Sequence, residues 1–341
     1  TATASNIGYG WWSHDIGGHM CGYRNEHLEA RWYQLGTFSP INRLHSSNSQ
    51  FMGKEPWNFS AEVRDSMVGS LRLRHMMLPY LYTMNYRAAF EGMPLVEPMY
   101  WADPNNPQAY EVPDEFRFGT ELLVAPIVSD NDDSAQLGST EAWLPQGEWY
   151  DFFDGRRYVS AGKSGRRLEV WRAIDRMPVF AKAGGMPLQQ LGEGNKVNDL
   201  GNPESLQVLV FPGANGSFTL KEDDGSVASA ASGSASAESC DGQTHVADTR
   251  MSLDWKNTDN ATQFTISPVE GCAEAIPAQR NWEIVFRGVA QPDTQNVRIE
   301  IGGKACRNYI RSADVESVGR CARRAVYCML ERYDCRRTAD C

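Results

Sequence analysis

Apolar positions keep one rhythm up to about residue 93 of this chain and another beyond it. Ile7–Ser13 (IGYGWWS) is a short apolar run between glycines, the pattern of a buried parallel strand. A polar loop, HDIGGHMCGYRN, follows it. Leu28, Trp32 and Leu35 recur at helical spacing within Glu26–Phe38, and Asn25 stands where an N-cap belongs. Pro40–Leu44 is a second short apolar stretch, followed by a long polar loop from His45 to Asn58. Ser60–Phe90 reads as one long helix. Ser60 caps it, Glu62 favours the positive end of its dipole, and Pro79 should kink or split it. The order β-α-β-α is that of a parallel α/β fold.

From Pro94 onward short β-type runs dominate: Leu95–Trp101, Leu122–Val128, Trp149–Phe153, Met177–Ala181, Leu206–Phe211, Ser217–Leu220, Gln263–Ile266 and Trp282–Phe286. Gly, Pro, Asn and Asp punctuate them, as in β-sandwiches. The polar stretch Leu191–Pro203 suits a boundary between two such domains, and Ser226–Ser239 is an Ala/Ser/Gly-rich loop. Two βα units cannot cover their own apolar faces, so the opening implies further βα units that complete a barrel of eight. The fold class expected is therefore α/β plus all-β: the last two βα units of a (β/α)8 barrel, then two β-sandwiches. The expected domains are 1–92 for the barrel part, 93–190 for a proximal sandwich, 191–300 for a distal sandwich, and 301–341 for a Cys/Arg-rich tail.

Composition narrows the function. The 341 residues are 41% hydrophobic and 22% charged, which supports a packed core. A formal net charge of −10 opposes binding to a phosphate backbone, so no nucleic-acid partner is expected. No apolar run approaches the roughly 20 residues of a membrane helix, so no membrane span is expected either. The opening Thr1-Ala2-Thr3-Ala4-Ser5 lacks the pattern of a signal peptide, and its first residue suggests a fragment or a trimmed chain. Seven of the eight cysteines lie between Cys240 and Cys341. Most of the chain thus reads as a cytoplasmic type that needs no disulfides. On a helix, Cys321, Cys328 and Cys335 would share one stripe, read here as structural. The absence of a C-x-x-C pair leaves no support for a zinc site. Residues 301–341 hold nine Lys and Arg against five Asp and Glu, unlike the acidic remainder.

Two loops carry candidate chemistry, because barrel sites gather at the C-terminal ends of strands. The first is Ser13-His14-Asp15-Ile16-Gly17-Gly18-His19, with two glycines that let a ligand come close. The second is Asn42-Arg43-Leu44-His45-Ser46-Ser47-Asn48. A carboxylate, an Arg and a His converging there suit the directional hydrogen bonds of a polyhydroxyl ligand. Read as plain structure, Asp15 and Arg43 are an ion pair and His45 is a satisfied polar residue. Glu222, Asp223 and Asp224 read as a solvated acidic turn, and Asp151 and Asp154 as hairpin punctuation. No phosphate loop, dinucleotide fingerprint or Gly-x-Ser-x-Gly elbow occurs, so no cofactor is expected.

Several segments in order resemble the C-terminal half of glycoside hydrolase family 31, the α-glucosidase and α-xylosidase family. They are WWSHDIGGHM, RWYQLGTFSPINRLHSSNS, LRLRHMMLPYLYTMNYRAAFEGMPLVEPMYW, FRFGTELLVAPIV, AWLPQGEWYDFFDG, MPVFAKAGGMPL and FTLKEDDG, within residues 1–225. The resemblance implies a retaining α-glycosidase in which one carboxylate attacks the anomeric carbon. A second, about 5–5.5 Å away, protonates the leaving oxygen. In the family these acids sit in a Trp-x-Asp-Met-Asn-Glu type motif and a Gly-Asp-Asn type motif, neither of which occurs here. The resemblance further implies that Asp15 belongs to the sugar-binding network with Arg43. It implies that His45 bonds hydroxyls of the sugar in the −1 subsite, that His19 lies near the +1 side, and that Trp11 or Trp12 lines the pocket. The expected partner is a carbohydrate substrate. A homo-oligomer, or the missing N-terminal part of the same protein, is the expected macromolecular partner. Two other readings stay open: a non-catalytic carbohydrate-binding or scaffold β-sandwich protein, and a pseudoenzyme subunit that completes another chain's barrel.

Overall fold

The computed structural model describes residues 1–18, 24–45, 53–192, 201–225, 245–255 and 261–289, and strand segments at 300–301, 304–305, 309–314 and 324–334. They form two compact units. The first comprises Thr1–His75, Met93–Asp151 and Tyr158–Ala181, and the second Met76–Gly92, Phe152–Arg157 and Lys182–Cys341.

The first unit opens with a 3-10 turn, Ala2–Ile7, closed by Gly8 in the left-handed region at φ 73°. The strands expected at 7–13 and 40–44 do not form. They reduce to one parallel bridge, Ile16 with Leu44. A strand is held by ladder bonds along its edges, and these segments have no further strand beside them. Ile7, Tyr9 and Trp11 are consequently exposed. Helix α1, Glu26–Thr37, starts as expected: Asn25 Oδ1 accepts the Leu28 N–H at 2.9 Å. Its Ala30 and Tyr33 pack with Ile16, Phe59 and with Val63 and Met67 of α2, Ala61–Met76. Arg74 of α2 reaches back to the end of α1, donating to Thr37 O at 3.0 Å and Pro40 O at 2.9 Å. Of these, Thr37 O is a carbonyl that the helix end leaves without an intrahelical partner.

The long helix splits as Pro79 requires. The helix α2 ends at Met76, and α3, Leu78–Glu91, carries Pro79 in its first turn. There the missing N–H costs nothing, whereas deeper in a continuous helix the ring would strike the preceding turn. The run expected as a strand over 95–101 is strand β1, Val96–Pro98, followed by a one-turn helix α4, Met99–Ala102.

Seven strands follow in the proximal region. They are β2 (Phe116–Phe118), β3 (Leu122–Val124), β4 (Gly138–Leu144), β5 (Gly147–Asp151), β6 (Arg157–Ser160), β7 (Arg166–Arg172) and β8 (Val179–Lys182). A six-stranded sheet runs β1-β2-β3-β8-β5-β6, and β4 pairs antiparallel with β7. Leu123, Ala125 and Phe180 share one core with Ala142, Trp143, Leu144 and Val170 of that pair. Asp151 is more than turn punctuation: it is fully buried and pairs with Arg172 at 2.5 Å. Arg31 of α1, 1% exposed, donates to the carbonyls of Arg172, Ala173 and Arg176 and to Asn131 Oδ1.

In the second unit the strands are β9 (Leu188–Gln190), β10 (Ser205–Val210), β11 (Gly216–Asp223), β12 (Val246–Asp254), β13 (Gln263–Ile266), β14 (Glu270–Gly271) and β15 (Gln279–Phe286). Four more follow: β16 (Glu300–Ile301), β17 (Lys304–Ala305), β18 (Tyr309–Asp314) and β19 (Arg324–Asp334). One sheet runs β18-β19-β15-β10-β9, with β10 and β15 parallel; β11, β12 and β13 form another, with β14 beside β12. Helix α3 lies against β11: Tyr80 stacks on Phe218 at 5.7 Å, and Thr83 Oγ1 accepts the Lys221 N–H at 3.1 Å.

Two expectations are corrected here. Cys328 lies in β19 and not on a helix; Cys321 and Cys335 lie outside the described residues. Cys272, in the last third where the cysteines gather, is buried and disulfide-bonded. The acidic turn is not a solvated one. Glu222 is 3% exposed and meets Arg280 at 2.8 Å on both oxygens, Asp223 accepts the hydroxyls of Tyr82 and Tyr86, and Asp224 pairs with His245 at 2.6 Å. Ser226–Ser239 and most of the Leu191–Pro203 boundary lie outside the described residues.

Candidate functional site

Three backbone bonds zip the two candidate loops together. Ile41 N–H donates to Trp12 O at 3.2 Å, Ile16 N–H to Arg43 O at 3.0 Å, and His45 N–H to Ile16 O at 3.2 Å. Ile16 is fully buried against α1, where only a glycine leaves it room: a Cβ on Gly36 would stand 2.5 Å from Ile16 Cδ1. Anchored this way, Asp15 and Arg43 meet as an ion pair, with side chains 31% and 53% exposed. Asp15 sits in the left-handed region at φ 52°, which Asp tolerates better than most residues. His45 follows, half-buried. The structure pairs Asp15 with Arg43 and ties the His45 backbone to Ile16, the residue after Asp15.

The glycines of this loop do something other than expected. Gly17 and Gly18 have φ of 89° and 79°. A Cβ on Gly17 would meet Lys54 Cδ at 2.5 Å and Glu29 Oε1 at 2.7 Å, so the protein's own side chains occupy the approach left for a ligand. Glu29 is 6% exposed, and burial pushes its carboxyl up to about 7 while Lys54 opposes that shift.

His14 is the residue that sequence reasoning left without a role. Its Nδ1 accepts from Trp32 Nε1 at 2.7 Å. Its Nε2 lies 2.7 Å from Ser39 Oγ, and that hydroxyl donates onward to Leu35 O at 2.7 Å. A neutral imidazole that carries its proton on Nε2 satisfies every member of this chain. Burial, the largest cause, lowers the His14 pKa to about 4, so the ring stays neutral at ordinary pH. The loop that carries Asp15 is thereby tied to the middle of α1 through Trp32 and to its C-terminal end through Ser39. Residues 14, 32 and 39 share no periodicity, so no sequence signal marks the set. Trp12 is buried, 5.6 Å from the His14 ring, and its Nε1 has no hydrogen-bond partner among the described residues; Trp11 is exposed. His19 lies outside the described residues. Among the described residues no cluster of His, Cys, Asp and Glu is arranged to hold a metal ion, and no helix is long and apolar enough to cross a membrane.

Comparison with known proteins gives the family of the chain. The family model described as the glycosyl hydrolases family 31 TIM-barrel domain matches residues 1–84, and that of the family 31 C-terminal domain matches residues 92–186. The chain belongs to glycoside hydrolase family 31. An α-xylosidase of Saccharolobus solfataricus is 30% identical over 225 residues, 64% of this chain and 29% of that protein. Alpha-glucosidase 2 of Bacillus thermoamyloliquefaciens is 29% identical over 214 residues, 62% of this chain and 25% of that one. In fold, the chain is similar to a family 31 dextranase of Flavobacterium johnsoniae in complex with isomaltotriose. That match has a TM-score of 0.75 and 21% identity, over 97% of this chain and 39% of the dextranase. The chain spans less than a third of the length of the curated relatives it matches. It comprises part of the barrel and the C-terminal domain, and the described residues form no closed barrel.

Proposed function

We propose that this chain is the C-terminal portion of a retaining α-glycosidase acting on α-linked glucosides or xylosides. It contributes the last two βα units of the barrel and two β-sandwiches. The observation that supports this most is the convergence of Asp15, Arg43 and His45 through the bridge between Ile16 and Leu44. The Asp15 carboxylate accepts sugar hydroxyls, Arg43 donates to them, and the His45 imidazole does either. Trp12 supplies an apolar floor, and His19 extends the site toward the leaving group. Asp15, engaged by Arg43, serves as a hydroxyl-binding group and not as nucleophile. The nucleophile and the acid/base come from sequence outside these 341 residues, at the separation of about 5–5.5 Å that retention requires. No cofactor enters this chemistry.

The test assays the purified chain with a chromogenic α-glucoside and titrates it with maltose. No turnover is expected. The component of maltose binding at this loop should be lost in Asp15→Ala and weakened by about 1–3 kcal/mol in His45→Ala, the cost of leaving buried hydroxyls unpaired. Turnover that survives Asp15→Ala would overturn the placement of the catalytic pair. Maltose binding indifferent to both substitutions would overturn the sugar-binding role.

A further inference from the structure

A second aromatic site lies in the first unit and shares no residue with the one above. Asn6 stands between two rings: its Nδ2 donates to Tyr100 Oη at 2.6 Å, and its Oδ1 accepts from Trp101 Nε1 at 2.8 Å. Tyr110 lies flat on Tyr100, with centroids 4.7 Å apart and planes 3° from parallel, and its hydroxyl donates to Pro104 O at 3.0 Å. The polar atom of each ring is thus engaged within the protein, which fixes the rings in place. Their faces are not spent in the same way, for Tyr110 remains 55% exposed. These three rings line a cavity of about 520 Å³ together with Met93 and the buried Glu97. That volume is ordinary for a small-molecule site.

We infer that this cavity is a saccharide-binding site in which Tyr110 is the platform for a pyranose ring. Three features select that ligand class. A fixed, flat aromatic face matches the C–H face of a pyranose and loses little conformational entropy on binding. Glu97 is the one charged residue in the lining, and its carboxylate repels an acidic ligand. An organic cation would call for rings set around it as walls; here Tyr100 covers one face of Tyr110, and the exposed side of Tyr110 offers a single platform. This site goes beyond the glycosidase reading and stands without it.

The experiment titrates the 341-residue chain with maltotriose and follows heat and tryptophan fluorescence, since Trp101 lines the cavity. Tyr110→Ala should weaken this binding at least about tenfold with Tm unchanged, because the ring is largely exposed. Tyr110→Trp should retain it. Asp15→Ala should leave this component intact, which separates it from binding at the Asp15 loop. The inference is overturned if maltotriose does not bind, or if binding ignores Tyr110→Ala. It is equally overturned if Asp15→Ala abolishes all binding, or if choline binds there in place of the sugar.

Discussion

Arg280 and Glu222 face each other in the interior of the second unit, with both guanidinium arms on both carboxylate oxygens at 2.8 Å and neither residue more than 3% exposed. Removing one partner of such a pair leaves an uncompensated buried charge. Glu222→Ala is expected to lower stability by about 3–5 kcal/mol, measured as a shift in the urea midpoint. The double replacement Glu222→Met with Arg280→Met should cost much less than the sum of the single changes. Additive losses would show that the two side chains do not act as a pair.

His14 gives a dependence on acidity. Its folded pKa of about 4 lies below its ordinary 6.5, so between those values the unfolded chain binds a proton that the folded one refuses. The contribution of His14 is therefore complete above pH 6.5 and lost as the pH falls toward 4. Comparing His14→Gln with the parent chain from pH 4 to 7 should show a smaller loss of Tm on acidification in the variant. An imidazole that titrates near 6.5 by NMR would contradict the buried, neutral ring.

Glu115 has the opposite sign. It is wholly buried, its Oε2 accepts the Trp143 N–H at 2.7 Å, and its Oε1 has no partner among the described residues. Burial raises its pKa to about 8 from 4.5. Between those values the folded chain keeps a proton that the unfolded chain releases, so stability falls as the pH rises. Glu115→Gln should remove a slope of about 1.4 kcal/mol per pH unit across that window. Urea unfolding at pH 5 and pH 9 checks this, with the variant gaining on the parent at the higher pH.

Gly17 adopts a left-handed conformation, and both Lys54 and Glu29 crowd the space a Cβ would fill. Gly17→Ala is expected to destabilise by about 1–3 kcal/mol, from backbone strain and displacement of those side chains. It should also weaken maltose binding, since Asp15 is two residues away. A variant with unchanged urea midpoint and unchanged affinity would show that the loop is softer than described.

Local signals were legible where local physics decides. The cap at Asn25, the start of α1 and the split at Pro79 follow from hydrogen bonds and ring sterics within a few residues. That Asp15, Arg43 and His45 could converge was read from two loops at the ends of expected barrel strands, and the sugar-binding roles of Asp15 and His45 from a family resemblance. The role of His14 was not legible, because its partners Trp32 and Ser39 are brought to it by the packing of α1. The strand over 7–13 was misread for a related reason. Its composition suits a strand, but ladder partners are supplied by the rest of a fold, and among the described residues only Leu44 answers Ile16.

By itself the amino-acid sequence determined the change from helical to alternating pattern, the positions of caps and breaks, and the family to which the chain belongs. Each of these rests on residues near one another or on an ordered set of motifs. Tertiary structure alone decided which carboxylates are buried and what they do. Asp151 and Glu222 read as ordinary polar punctuation and Glu115 carries no signal, yet each is desolvated by strands distant in sequence and answered by Arg172, Arg280 or the Trp143 amide. A charge is costly or useful according to the dielectric and the partners around it, and a linear pattern carries neither.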